Sequence, residues 1–132
     1  MFTHIRTSKE NRKVVAQLTR KLNLGTENII ARIALTYSLS KDCKLDISKL
    51  KDSGGKEYSK SVLFGDYLDY YLGMVAMHYG LHITDKDLSK YVKLHIDHGL
   101  TLINADFESA SNLDSFDYII GKIASGITLI KN

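Results

Sequence analysis

RKLNLGTENIIARIALTYSL, residues 20–39, decides how the rest of the chain is read. Basic residues lead into a glycine, and a Thr-Glu-Asn triplet follows it before the next apolar run. This is the pattern of two helices meeting at a tight corner. Gly25 is expected to take the left-handed conformation that ends the first helix, and Thr26 to cap the second through its hydroxyl. The second helix is predicted to run to about Leu39, with Ile29, Ile33 and Tyr37 on one face and Ala31, Leu35 and Leu39 on the opposite one. A helix apolar on two faces has to be buried twice, so the expectation is a second burial against another copy of the chain.

Upstream of the corner, Ser8 is a suitable N-cap for a helix from Lys9 to about Asn23. Val14, Val15, Leu18 and Leu22 fall within about 100° of arc on its wheel. Lys9, Lys13 and Arg20 cluster on the opposite side, with Ala16 between them. A solvated polar face would also show such spacing, but the near absence of acid favours a row that tracks a phosphate backbone. Lys21 and the backbone N–H groups around Gly25 and Thr26 lie at the end of this row. The candidate phosphate-contacting residues are therefore Lys9, Lys13, Arg20, Lys21, Gly25 and Thr26. Residues 2–7 alternate weakly, as a short strand or an extended arm would.

Downstream, residues 41–60 form a lysine-rich connector with a Gly-Gly turn. Its SGGK stretch lacks the spacing, the hydroxyl residue after lysine and the preceding buried strand of a nucleotide-binding loop. A third helix is predicted over about 60–79, burying Phe64, Leu68, Tyr71, Val75 and Tyr79 and ending at Gly80. Tyr67, Tyr70, Tyr71 and Tyr79 on the same helix could stack on bases, but helical spacing points to core or interface. A fourth helix is predicted from Thr84, with Asp87 completing a capping box, to about Ile103. It should bury Leu88, Val92, Ile96 and Gly99 and expose Lys86, Lys90, Lys93 and Asp97. The tail over 105–132 has room for one short helix, which Gly121 and Gly126 oppose.

Composition bounds the reading. A chain of 132 residues, 44% apolar and 25% charged, is expected to form one globular domain. Proline is absent, which favours an all-α fold. The N-terminus has no apolar signal segment, and no apolar run approaches the roughly 20 residues of a membrane span, so a cytoplasmic, membrane-free protein is expected. The single cysteine, Cys43, fits a spectator thiol in a reducing compartment. The net charge of +3 is unevenly spread. Residues 1–60 hold 13 Lys and Arg against 6 acids, a net of +7, while residues 61–132 hold 5 against 9, a net of −4. The N-terminal half is the one suited to a polyanion.

Four of the five histidines lie between residues 78 and 98. His78 and His82 have the spacing of a zinc pair, but Gly80 between them should end the helix. His95 falls inside an apolar stripe, as a hydrogen-bonded core histidine does, and His98 at its edge. Asp66 and Asp69 fit a solvated acidic face better than a metal site. No nucleophile pattern, metal motif or cofactor motif is present, so catalytic residues and cofactors are not expected.

LGTENIIARIALTYSL (24–39), GKEYSKSVLFGDY (55–67) and HIDHGL (95–100) together resemble the DndE family. DndE is the small subunit of the bacterial DNA sulfur modification, or phosphorothioation, machinery. The resemblance spans roughly residues 5–103. It implies helices similar at the N-terminus to ribbon-helix-helix regulators, a homotetramer, and a basic surface that binds double-stranded DNA, nicked duplex preferred. It also implies partner subunits: a cysteine desulfurase, an iron–sulfur sulfurtransferase and an ATPase, whose joint product carries sulfur in place of a non-bridging phosphate oxygen. Glu27 departs from the family, where proline is common; a carboxylate there suits the helix dipole but repels a phosphate. Two other readings remain: a metal-dependent nicking enzyme using His95 and His98, and a ribbon-helix-helix regulator whose residues 2–7 pair between subunits.

Overall fold

The computed structural model describes residues 3–109, 118 and 121–125. Its elements are β1 (His4–Arg6), α1 (Lys9–Leu22), α2 (Glu27–Ser40), β2 (Glu57–Ser59), α3 (Lys60–Phe64), α4 (Leu68–Tyr79) and α5 (Leu88–Ser109), with 3₁₀ turns at Ile47–Lys49 and Gly65–Tyr67. The fold is mainly helical, as expected. Its one addition is a two-stranded ribbon in which β1 pairs antiparallel with β2, Ile5 opposite Tyr58. Residues 4–6 are thus partnered inside their own chain, and not by the subunit-to-subunit ribbon the regulator reading requires.

The long helix α5 is the central element. It packs on α1, α2 and α4, with α2 its most extensive neighbour. Ala31, Ala34 and Ser38 of α2 are small and buried, and Gly99 of α5 meets them so closely that a Cβ there would lie 1.9 Å from the Ala34 carbonyl oxygen. Leu18 and Leu22 of α1, Ile30 and Leu35 of α2, Phe64 of α3, Leu72 of α4, and Leu88, Ile96, Leu100 and Ile103 of α5 fill the core. No helix among the described residues is long and apolar enough to cross a membrane.

Several boundaries and burials differ from expectation. The residue that ends α1 in the left-handed conformation is Asn23 (φ 51°), whose N–H bonds the Thr19 carbonyl, while Gly25 takes a different positive-φ conformation two residues on (φ 129°). Thr26 is the N-cap of α2, but its hydroxyl engages the Asn28 side chain and makes no bond to the helix backbone. The predicted third helix is broken: Gly65 at φ 55° ends α3 and a 3₁₀ turn re-aims the chain before α4. Gly80 closes α4 as expected.

The fourth helix starts at Leu88, because Thr84 is held by His82 and the Asp85 side chain takes the Asp87 N–H; it then continues to Ser109. The first residues of the expected tail therefore belong to α5, and helix recurs at 121–125. Its other expected features lie outside the described residues. Ala31 and Leu35, assigned to a second face of α2, are fully buried in the chain's own core; Ile33, Tyr37 and Leu39 pack on that core partly exposed. The two-faced pattern is satisfied largely by α5, so it gives no separate reason for a partner. Lys93 and Asp97, expected in solvent, are buried together, for the reason given next.

Candidate nucleic-acid interface

Helix α1 turns one apolar face inward and one basic face outward. Asn11, Val14, Val15, Leu18 and Leu22 are buried, while Lys9, Arg12, Lys13, Arg20 and Lys21 are exposed. Among the described residues, none of these five cations is in an ion pair; the lysines and arginines that have acidic partners are Arg6, Lys56, Lys90, Lys93 and Lys122. Lys9, Lys13 and Arg20 lie within about 40° of one another on the helical wheel, and Arg12 flanks them by about 60°. Lys21 is turned by about 100° from the centre of the row and reaches its end from the side. Arg12 was overlooked in the sequence; its wheel position beside Lys9 was the available signal.

The start of α1 is fastened by a buried polar cluster. Ser8 Oγ accepts from Asn11 N–H (3.2 Å), the N-cap bond the sequence implied. Asp97 of α5 accepts from Ser8 N–H (3.1 Å) and from the Asn11 side-chain amide (2.7 Å). Lys93 Nζ donates to Asp97 (3.0 Å) and to the carbonyls of Arg6 (2.8 Å) and Asp52 (2.9 Å). This ion pair is buried because it ties β1, α1 and the 52–56 loop to α5. Asp52 in turn accepts from the N–H groups of Lys9 (2.9 Å) and Gly54 (3.0 Å), bonds that hold its carboxyl below the usual range. The lysine-rich connector is therefore docked beside the first turn of the basic helix.

At the far end of α1 the corner has a different character. Thr26, Glu27, Asn28 and Tyr58 line a cleft of about 530 Å³, with Glu57 also on its wall. Glu27 pairs with Lys56 (3.7 Å). The two carboxylates on this cleft, Glu27 and Glu57, are each paired with a cation, Lys56 and Arg6. Gly25 and Thr26 border the basic row without extending it.

The histidines form a separate, closed arrangement. His95 is fully buried; its Nδ1 is 2.7 Å from Ser38 Oγ and its Nε2 is 2.6 Å from the Tyr79 hydroxyl. Ser38 Oγ also reaches His98 Nδ1 (2.7 Å), and Tyr79 accepts from Leu45 N–H (2.9 Å). With Tyr79 donating to His95 Nε2, His95 Nδ1–H donates to Ser38, which donates on to His98 Nδ1, a relay that runs with both rings neutral. Burial, reinforced by His78 and His98, pushes the His95 pKa down to about 4. Both nitrogens of His95 are occupied, so neither is available to a metal or a substrate proton. His78 and His82 turn to different partners, the Cys43 carbonyl and the Thr84 hydroxyl. Among the described residues no three His, Cys, Asp or Glu side chains converge on one point.

This fold is found in solved structures. The crystal structure of DndE from Escherichia coli B7A, involved in DNA phosphorothioation modification, superposes with a TM-score of 0.63 at 20% identity, covering 78% of this chain and 98% of that one. A DndE variant with two glycines changed to lysine gives 0.64 at 21% identity over the same shares. No functionally curated protein matches the chain. Residues 4–111 match the family model of the DNA sulphur modification protein DndE, well over half the chain. The protein therefore belongs to the DndE family.

Proposed function

We propose that this protein is the non-catalytic DNA-binding subunit of a DNA phosphorothioation machinery, holding duplex DNA by its sugar-phosphate backbone along the outer face of α1. The observation that carries the reading is the row of Lys9, Arg12, Lys13 and Arg20: exposed, on one side of one helix, with no acidic partner among the described residues. Lys21 supplements the row at its end, and Gly25 and Thr26 mark its border. Contacts of this kind are made to phosphates, so binding should be weak in sequence preference and strongly salt-dependent.

The family resemblance adds a preference for nicked duplex, assembly as a homotetramer and the sulfur-transferring subunits as partners, and the cytoplasmic location expected from the sequence goes with this reading. In this reading the chemistry belongs to those partners, and this chain needs no cofactor of its own. The nicking-enzyme alternative would require His95 to reach solvent, which its burial between Ser38 and Tyr79 opposes. The test is a salt titration of binding to intact, nicked and single-stranded DNA of one sequence. Tightest binding to the nicked duplex, with affinity falling steeply as salt rises, supports the proposal. Binding that is absent, or insensitive to salt, refutes it.

A further inference from the structure

The cleft beside the α2 N-terminus holds two buried side-chain atoms with no hydrogen-bond partner among the described residues, the Tyr58 hydroxyl and Glu27 Oε2. Tyr58 is 4% exposed, and both side chains line the cleft. Lys56 Nζ stands 3.7 Å from Glu27 Oε2, near enough for an ion pair but too far for a hydrogen bond. Other polar side chains on the wall are already committed. Thr19 donates to the Val15 carbonyl (2.7 Å), Asn28 Nδ2 donates to the Val62 carbonyl (3.2 Å), and Ser59 Oγ accepts from Val62 N–H (3.2 Å). Burial, reinforced by the Glu27 carboxylate, pushes the Tyr58 pKa up, so the phenol keeps its proton with Glu27 close by. An unpartnered buried polar group costs about as much as a lost hydrogen bond, so two on one cleft require a group placed between them.

The chemistry of this pair selects that group. A carboxylate oxygen only accepts a hydrogen bond, whereas a protonated phenol has a proton to give. A hydroxyl donates to the first and accepts from the second at once; the amino group of a base only donates. Charge points the same way. Glu27 is balanced by Lys56 and Glu57 by Arg6, so the cleft has no surplus charge with which to hold an ion. Position supplies the source. Thr19 on the cleft wall lies about 20° from Arg12 on the α1 wheel and two turns, about 10 Å, further along. A strand held beside Arg12 by its phosphates therefore runs toward the cleft. Along unbroken DNA the sugar and phosphate oxygens only accept, and a backbone hydroxyl occurs only where a strand ends. We infer that the cleft takes the free hydroxyl of a DNA strand end, such as the 3′-hydroxyl at a nick, with Glu27 accepting from it and Tyr58 donating to it. This deepens the proposed function and rests on DNA lying along α1. It leaves the phosphates to the basic row and gives a physical reason for preferring a nicked duplex, which the row alone does not.

Binding of the full chain to four DNA duplexes of one sequence tests this: one unbroken, and three nicked with a hydroxyl, a hydrogen or a phosphate at the 3′ end. The wild type should bind the hydroxyl-ended nick about tenfold more tightly than the hydrogen-ended one, the size of a hydrogen bond to a charged group. The phosphate-ended nick should gain nothing over the hydrogen-ended one. Tyr58→Phe removes only the unpartnered hydroxyl, and circular dichroism checks that its fold is kept. It should reduce the preference about fivefold, the size of one neutral hydrogen bond, with the unbroken duplex as internal reference. A wild type that binds none of the four overturns the DNA-binding reading together with this inference. Binding that does not distinguish the hydroxyl end from the hydrogen end overturns the strand-end site alone and leaves the two buried atoms to water. A preference undiminished in Tyr58→Phe takes the strand end away from this cleft and overturns the assignment. An unbroken RNA duplex bound as tightly as the hydroxyl-ended nick makes the ligand a 2′-hydroxyl, which also overturns it.

Discussion

Replacing Asp97 with alanine tests how the basic helix is held in place. Its carboxylate is buried and accepts from Lys93 Nζ, Ser8 N–H and the Asn11 amide at 3.0, 3.1 and 2.7 Å. Truncation leaves the buried Lys93 ammonium with only the Arg6 and Asp52 carbonyls, strands Ser8 N–H, and leaves the Asn11 amide only the backbone carbonyl of residue 97 (3.2 Å). Breaking a buried pair from one side costs about 3–5 kcal/mol, and the stranded donor adds to the upper end of that range and not on top of it. For a domain whose total stability is about 5–15 kcal/mol, the loss is a large share of the whole. Urea denaturation followed by circular dichroism gives the cost directly. At about 4 °C per kcal/mol, the corresponding fall in Tm is about 12–20 °C. Changing Lys93 to Met and Asp97 to Leu together should cost clearly less than Asp97→Ala alone, because no charge is then left buried. A loss below about 1 kcal/mol for Asp97→Ala, or a double variant that costs the sum of the singles, would refute the reasoning.

Stability should also fall as pH drops from about 6.5 to 4, by up to about 3 kcal/mol, because the unfolded chain protonates His95 in that window while the folded chain keeps it neutral down to about 4. Denaturation midpoints across this range should lose most of their slope in His95→Gln, and an unchanged slope would count against the buried neutral assignment. Ser8→Ala should cost about 1 kcal/mol, the usual value for a cap whose oxygen accepts a backbone N–H, whereas Thr26→Ala should cost less than half of that. Thermal melts of the two variants compare them; equal losses would show that Thr26 caps α2 after all. Gly99→Ala should destabilise by about 2–3 kcal/mol, since α2 and α5 must separate to admit the methyl group; a melt unchanged from wild type would contradict the crossing.

What was legible in the sequence was local. The two sides of α1 differ so sharply in chemistry that its 3.6-residue period exposed both the core seam and the basic row. Gly80 ended α4 as its position suggested. Lys93 and Asp97 were misread because their burial depends on Arg6, Ser8, Asn11 and Asp52, groups 41–89 residues away in sequence, and a helical wheel carries no such information. The same blindness affected Leu35: apolar residues on two faces of α2 show that both need cover, but not that the cover is α5 of the same chain. Gly65 lay inside a continuous helical pattern that a glycine can either join or break, and only its backbone conformation decided which. The three-residue strands β1 and β2 are too short to alternate visibly. The tyrosines at 67 and 70 had been placed between core and interface, and their exposure removes the core.

The central claim is that phosphates lie along α1, and the most direct measurement is the salt dependence of DNA binding by two charge-matched double variants. Lys13→Gln with Arg20→Gln removes two cations from the row; Lys86→Gln with Lys90→Gln removes two from elsewhere, both exposed. Each phosphate contact releases about one counterion, so the first variant should flatten the slope of log K against log salt by roughly one to two units and weaken binding to every DNA sequence about equally. The second should leave the slope nearly unchanged. Equal losses from both variants would reduce the row to part of a diffuse positive field, and no loss from either would place the DNA away from α1.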